Sequence, residues 1–120
     1  MNSLTLTVHR ATNQIGGNCI ELRSGAERLV LDVGRPLDAS NDAVGLIPTS
    51  LDVGQPATIL ISHPHQDHYG LLEEAPAHWP VRCGEATRRL MAITANVTGR
   101  SIPQAIEPWT SGTTFAIGPF

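Results

Sequence analysis

Three imidazoles and one carboxylate fall within six residues of the sequence, in the segment His63-Pro64-His65-Gln66-Asp67-His68. These nitrogen and oxygen donors suit Zn²⁺, and they suit Mn²⁺ or iron when carboxylates and water complete the coordination shell. Alternate residues of a loop project to the same side, so we expect His63 and His65 to bind one ion. The chain then changes direction, so Asp67 and His68 can reach a second ion. Two ions about 3.5–4 Å apart can hold a hydroxide against a scissile group, so the segment predicts hydrolytic chemistry.

Other interpretations of the histidines are less favoured by their setting. Pro64 argues against a helix that would hold two His four residues apart. A purely structural zinc site is the alternative, although no Cys lies near the segment. His9 and His78 are isolated, and isolated histidines are usually core or surface residues.

A short hydrophobic strand is predicted immediately before the histidines. Ala57 to Ile61 is β-branched and apolar, as expected for a strand covered on both faces, and it leads directly to Ser62 and His63. Three earlier strands are predicted as an antiparallel meander: Leu4 to His9, Cys19 to Leu22 and Leu29 to Val33. Arg35 to Gln55 is predicted to be a loop.

The second half of the chain alternates strands and helices in its pattern. A short helix from Tyr69 to Ala75 is predicted to stop at Pro76, and a brief strand to run from Pro80 to Cys83. Ala86, Leu90, Ile93 and Val97 have helical spacing within a helix from Glu85 to Val97, with Gly99 as its stop. A last strand is predicted from Thr113 to Ile117. Strands that alternate with helices after a meander indicate an α/β fold.

The composition fits one folded domain and excludes several functional classes. The chain has 120 residues, 41% of them hydrophobic, and a net charge of −3 with eight Arg, no Lys and no basic cluster beyond Arg88 and Arg89. An electrostatic footprint for nucleic acid is therefore absent, and any RNA contact would need metal ions or other chain segments. Cys19 and Cys83 form no C-x-x-C, which favours a reduced, cytoplasmic setting. No signal peptide or apolar run of membrane-spanning length is expected.

The histidine segment resembles a known family. Ser62 to Gly70 matches the H-x-H-x-D-H-x-G signature of the metallo-β-lactamase superfamily of metallohydrolases, and Leu29 to Gly34 resembles its first motif, a strand ending in Asp-Gly. Gln14 to Leu22 further resembles members grouped with ribonuclease J and the β-CASP exonucleases, which process RNA.

The resemblance implies an αββα sandwich with the site along one edge of its two sheets. His63 and His65 would bind the first metal, and Asp67 and His68 the second. Asp32 would orient the site from outside the coordination shell. The implied mechanism is attack by a metal-activated hydroxide, with Asp67 also orienting the water.

The later ligands of the family have no counterpart here, because no His follows His78 and no Asp follows Asp67. We therefore expect residues 1–120 to form the N-terminal half of the family's domain, one mixed sheet with flanking helices. Such a chain should bind metal weakly and be hydrolytically inactive alone. Its exposed apolar face should favour self-association.

Three functions remain open from the sequence. The first is hydrolysis of phosphodiesters in RNA. The second, on the same fold, is hydrolysis of a small-molecule ester, thioester or lactam. The third is a non-catalytic module that binds a partner or a second copy of itself.

Overall fold

One mixed sheet of six strands organises the chain, and its strands follow each other across the sheet in sequence order. The computed structural model describes residues 3–120. The elements in chain order are β1 Leu4–Arg10, β2 Cys19–Ser24, β3 Glu27–Leu31, β4 Thr58–Leu60, α1 Gln66–Tyr69, β5 Val81–Gly84, α2 Glu85–Thr98 and β6 Ile106–Trp109. The α/β class and the mixed sheet that the sequence predicts are confirmed.

The first three strands form the predicted antiparallel meander. Leu6 lies opposite Leu22, which in turn lies opposite Leu29. The turn between β2 and β3 contains Gly25 at φ 61°, a conformation that glycine adopts without the clash a Cβ would cause. From β3 onward each new strand pairs in parallel with the one before it. The carboxyl ends of β3 and β4 therefore meet at one edge of the sheet.

The core lies on one face of the sheet. Its strand residues include Val30, Ile59 and Val81, each fully buried, and Trp79 and Met91 close the face from the other side. Cys19 and Cys83 are both unpaired and buried, as small core residues are expected to be. Burial raises the pKa of the Cys19 thiol to about 12, so the thiol stays protonated and unreactive at neutral pH.

The opposite face of the sheet is only partly covered. Leu4, Leu6 and Val8 of β1 are 65%, 62% and 39% exposed, although their alternation with Thr predicts a half-buried strand. Near β5 the face is covered by Phe115, whose ring centroid lies 3.7 Å from the guanidinium carbon of Arg82. The β1 end of this face is therefore an exposed apolar surface.

Two sequence predictions about the second half are wrong in detail. A helix is predicted from Tyr69 to Ala75, but the observed helix α1 lies earlier and ends at Tyr69. Turns follow it. The strand predicted from Thr113 to Ile117 is absent from the described chain; that segment lies over the sheet, and β6 occupies the edge instead. Pro108 is tolerated in β6 because an edge strand needs no amide hydrogen on its outer side.

Helix α2 forms where predicted and ends at Gly99, whose φ of 71° and N–H bond to the Ala95 carbonyl close the helix. Its predicted apolar side nevertheless faces solvent, with Leu90, Ile93 and Val97 50%, 58% and 81% exposed. Met91 is its buried residue. The direct junction of β5 and α2 at Gly84 leaves the helix little freedom to rotate its apolar stripe inward. Within residues 3–120, no helix has the length and apolarity needed to cross a membrane.

Candidate metal centre

The histidine segment follows β4 at the edge where the carboxyl ends of β3 and β4 meet. Leu31 lies opposite Leu60 in the parallel pair, so Asp32 and Ser62, which follow these strands, come together. The Asp32 N–H continues the ladder by donating to the Leu60 carbonyl at 2.9 Å. Asp32 has a φ of 62°, a left-handed conformation that Asp tolerates better than most residues. Such a local strain at a site edge is typical of functional residues.

The Asp32 carboxylate is almost completely buried and accepts three hydrogen bonds. Its Oδ1 accepts the Ser62 N–H at 2.7 Å, and its Oδ2 accepts the Ser62 hydroxyl at 2.6 Å. The same Oδ2 lies 2.8 Å from Nδ1 of His68. Because a carboxylate only accepts, the Nδ1 atom must carry the proton. In this tautomer the Nε2 atom is the one with a lone pair for a metal.

The imidazoles and the second carboxylate lie against each other. The ring centroid of His63 is 3.8 Å from that of His68 and 4.8 Å from that of His65. Oδ2 of Asp67 lies 3.4 Å from Nε2 of His68. Two ligand atoms about 2.0–2.1 Å from a tetrahedral zinc ion are about 3.3 Å apart, so this pair already has the spacing of one edge of a zinc site.

The four predicted ligands are thus assembled in one place, in pairs. Across residues 3–120, no three His, Cys, Asp or Glu side chains converge on one point as a finished metal site. The donor types and the 3.4 Å pair fit a zinc-like ion.

Main-chain contacts fix the loop that carries these ligands. The Asp67 carbonyl accepts the N–H groups of Gly17 and Asn18 at 3.0 and 3.2 Å, and the His68 carbonyl accepts the Val33 N–H at 3.0 Å. A Cβ placed on Gly34 would lie 1.8 Å from the Asp67 carbonyl oxygen. Gly34 is therefore required for the loop to approach β3 this closely, which explains the Asp-x-Gly pattern after that strand.

Two functional residues are not evident from the sequence alone. Ser62 joins Asp32 to the loop, and its Oγ also lies 3.1 Å from Nδ1 of His63. A small hydroxyl residue at the end of a buried strand, directly before a ligand, is the signal that could have identified it. Arg35 is the second: it is 93% buried, and no carboxylate forms an ion pair with it within the described residues.

Arg35 lines an open pocket beside the ligand loop. The pocket has a volume of about 440 Å³ and is also lined by Asp67, Arg100 and the C-terminal turn of α2. Nη2 of Arg35 donates to the carbonyls of Ser40 and Ala43. Arg100 donates to Glu73 and to the Asn41 carbonyl. Arg100 is thus paired with Glu73, whereas Arg35 borders the pocket without an ion pair among the described residues, and a guanidinium in this state favours an anionic ligand.

Comparisons with known proteins agree on one fold. The family model described as the Metallo-beta-lactamase superfamily matches residues 12–115. Among solved structures, a protein of unknown function from Enterococcus faecalis V583 aligns with a TM-score of 0.75 at 17% identity, over 98% of this chain and 36% of that one. The short form of human tRNase Z aligns with a TM-score of 0.51 at 18% identity, over 92% of this chain and 47% of that one. No curated protein sequence is significantly similar to the chain.

Proposed function

The chain belongs to the metallo-β-lactamase superfamily, and from that premise we propose that it carries the first part of the metal centre of a hydrolase that cleaves phosphodiester bonds in RNA. The observation that carries this proposal is the hydrogen bond between Asp32 and His68, 2.8 Å long. A buried carboxylate that fixes the tautomer of a histidine is the usual support for a metal ligand.

Each residue of the loop has a proposed role. His63 and His65 would bind one ion, Asp67 and His68 a second, with zinc as the first candidate and Mn²⁺ or iron as alternatives. When bound, the metal would supply a nucleophilic hydroxide at neutral pH and polarise the scissile group. Asp32 holds the proton of His68 at Nδ1, and Ser62 holds Asp32 in place. Asp67 would also orient the attacking water.

The pocket beside the loop supports an anionic substrate. Arg35 and Arg100 border it, and a phosphodiester backbone carries one negative charge for each nucleotide. The likeness to human tRNase Z, a fold likeness only, is consistent with RNA. The resemblance of Gln14 to Leu22 to ribonuclease J and β-CASP proteins supports the same substrate class. A neutral ester or lactam would leave the charge of Arg35 without a counterpart.

We further propose that the isolated chain is inactive or nearly so. The chain spans 36% and 47% of the two solved structures it resembles. Its own predicted ligands number four, all between His63 and His68. Two His ligands without a third hold zinc far more weakly than a complete three-ligand site. Residues 1–120 thus represent a partial domain in this proposal, and a cytoplasmic location stays a prediction.

Two alternatives have specific support. A small-molecule ester, thioester or lactam hydrolase would use the same loop. A non-catalytic module would use the exposed apolar residues Leu4, Leu6 and Val8 on edge strand β1, where a second copy can also pair with the free strand edge.

Metal-dependent RNA binding tests the proposed function. Zinc is titrated into the chain while the anisotropy of a fluorescent single-stranded RNA is followed. We expect the RNA to bind in zinc, to be released by EDTA, and to bind at least about 10-fold more weakly to His65→Ala. His78→Ala is the matched control, because His78 is exposed and belongs to none of the site contacts. An RNA affinity that is the same with and without zinc, and the same in His65→Ala, would contradict the proposal.

The expected inactivity is measured separately with bis-p-nitrophenyl phosphate. Turnover by the isolated chain that disappears both with EDTA and in His65→Ala would show that the four ligands suffice for catalysis.

A further inference from the structure

A second group of polar side chains lies at the β1 edge of the sheet and shares no residue with the metal loop. Oγ of Ser50 is 2.7 Å from Nδ1 of His9. Nε2 of the same ring is 2.9 Å from Oε1 of Glu21. Both are ordinary hydrogen-bond lengths. The order hydroxyl, imidazole, carboxylate is the arrangement by which a histidine activates a serine nucleophile.

The protonation states follow from the surroundings of Glu21. Burial opposes ionisation of this carboxyl, but hydrogen bonds from Arg28 and His9 outweigh burial and lower its pKa. The Arg28 Nε donates to Oε2 at 2.6 Å. Glu21 is therefore a carboxylate that accepts the Nε2 proton of His9. The Nδ1 atom of neutral His9 is then left to accept the proton of the Ser50 hydroxyl.

His9 lies on the same side of β1 as Thr5 and Thr7, which line the pocket with it. The strand has a β-bulge at this point: Val8 lies opposite Ile20 and Arg10 opposite Cys19, so His9 is the extra residue of β1. Bulges are frequent next to active sites. The His9 side chain is only 3% exposed, which holds the ring in place.

The loop that carries Ser50 is fixed on both sides. Leu51, the next residue, is buried, and its N–H donates to the Pro48 carbonyl at 3.0 Å. Arg28 extends from Glu21 to the same loop and donates from Nη1 to the Gln55 carbonyl at 3.0 Å. Ser50 itself is exposed, so its hydroxyl is both oriented and accessible.

An open pocket of about 340 Å³ lies in front of the three residues. Its other lining residues are Thr5, Thr7, Arg23, Arg28 and Asp52. The Arg23 side chain is 47% exposed, and its Nε lies 3.8 Å from Oε2 of Glu21. A guanidinium with this freedom is the group in the pocket that can meet negative charge developing on a substrate oxygen.

We propose that Ser50, His9 and Glu21 form a second, metal-independent site that cleaves small carboxylic esters. Ser50 Oγ forms a bond to the acyl carbon while its proton passes to Nδ1 of His9. The bond from the acyl carbon to the leaving oxygen then breaks, and the alcohol departs with that proton. Water repeats the sequence on the acyl-serine and releases the acid. Ser50 and His9 are the catalytic residues, and Glu21 is a positioning residue that acts through His9.

A fluorophosphonate probe tests this site on the intact chain in EDTA. In the labelling step the Oγ to phosphorus bond forms, fluoride leaves, and the hydroxyl proton passes to His9. We expect one adduct by intact mass, mapped to Ser50 by peptide sequencing and absent in Ser50→Ala. Ser111→Ala, at an exposed serine outside the pocket, is the matched control and should label like the parent chain.

The contribution of the histidine is measured by the labelling rate. General-base assistance is worth about 100-fold or more, so His9→Asn should label at least that much more slowly while circular dichroism shows an unchanged fold. Glu21→Gln should move the pH midpoint of labelling downward, because an amide no longer stabilises the positive imidazole. A merely structural role for Glu21 would leave that midpoint in place.

Three results would overturn the proposal. They are the absence of an adduct, adducts spread over several serines, and a Ser50 adduct whose rate is the same in His9→Asn. Because labelling is done in EDTA, these outcomes are independent of whether the metal loop binds zinc or RNA. Hydrolysis of p-nitrophenyl acetate in EDTA, lost in Ser50→Ala and retained in Ser111→Ala, would assign ester cleavage to this second site.

Discussion

Nδ1 of His68 lies 2.8 Å from Oδ2 of Asp32, although the two residues are 36 positions apart in the sequence. The contact exists because β3 and β4 are neighbours and parallel, so the residues after each strand meet at one edge. It determines which nitrogen of His68 can face a metal. The chemistry of the loop therefore depends on a carboxylate outside the six-residue ligand segment.

Asp32→Asn should change which nitrogen of His68 carries the proton without changing the fold. Asn adopts left-handed backbone at least as readily as Asp, so the chain should fold normally. With its oxygen toward the Ser62 N–H, the new amide would place its NH₂ group against Nδ1 of His68. The imidazole proton would move to Nε2, and zinc affinity should fall about 10–100-fold.

Competition titration with a zinc chelator measures the affinity, and ¹⁵N spectra of the imidazoles report the tautomer. Asp38→Asn is the control, since Asp38 is an exposed carboxylate outside the loop. Equal zinc affinity in both variants would exclude a role for Asp32.

Gly34→Ala should disrupt the packing of the ligand loop against the residues that follow β3. The new Cβ would lie 1.8 Å from the Asp67 carbonyl oxygen, and backbone cannot move aside as a flexible side chain can. We expect the free energy of unfolding to fall by about 3 kcal/mol or more. Urea denaturation followed by circular dichroism measures this change. Gly54→Ala meets only the Asp52 carboxylate at 3.3 Å and should stay within about 0.5 kcal/mol of the parent chain. Similar urea unfolding midpoints for the two variants would show that the loop does not pack closely against Gly34.

The stability of the chain should fall in acid through Glu21. Its pKa is lowered in the folded state, so the unfolded chain takes up a proton first as the pH drops through the ordinary value of 4.5. The stabilisation is complete above that pH and is lost as the pH falls toward the lowered folded pKa. Unfolding midpoints in urea from pH 7 to pH 3 measure the loss.

Glu21→Gln should flatten this pH dependence and lower stability at pH 7, because Arg28 remains buried without its carboxylate. Breaking a buried pair from one side costs about 3–5 kcal/mol. Glu107→Gln is the control, because its contact with Arg82 is exposed and 3.5 Å long, and such pairs contribute little. If stability falls with pH in Glu21→Gln as it does in the parent chain, the acid sensitivity comes from another group.

Self-association should depend on the apolar side of β1. Leu6 is 62% exposed and faces the side of the sheet that carries Leu4 and Val8. Leu6→Glu should shift the chain toward monomer in sedimentation velocity at concentrations where the parent chain dimerises. Ser111→Glu is the control, because it adds the same charge at an exposed residue outside β1. If both variants dimerise like the parent, the β1 face is not the contact.

Local patterns were enough to predict the strands that hold the site. The antiparallel meander and the strand before His63 are continuous or alternating apolar runs, a pattern that is local to each strand. The ligand types in the loop are local as well. The contribution of Ser62, by contrast, depends on the pairing of β3 with β4, which no local pattern contains.

The errors have physical causes that lie outside each segment. The spacing of Leu90, Ile93 and Val97 is helical, but the junction with β5 turns Met91 to the core instead. Thr113 to Ile117 has strand composition, yet Phe115 finds its partners in Arg82 and Trp109 on the sheet face. His9 looks isolated in the sequence, but the fold brings Ser50 and Glu21 within hydrogen-bond distance of its ring, and no local pattern predicts that contact.

The loop between β4 and α1 is held by carbonyl and N–H groups, and by the bare Cα of Gly34, rather than by its ligand side chains. Exchange of His63 or His65 for another donor would therefore leave the backbone in place. Over evolutionary time such a loop can change its metal, or lose it, while selection for folding continues to act on the glycine. In this loop the fold depends on main-chain atoms, and metal binding would depend on side-chain atoms of the same few residues.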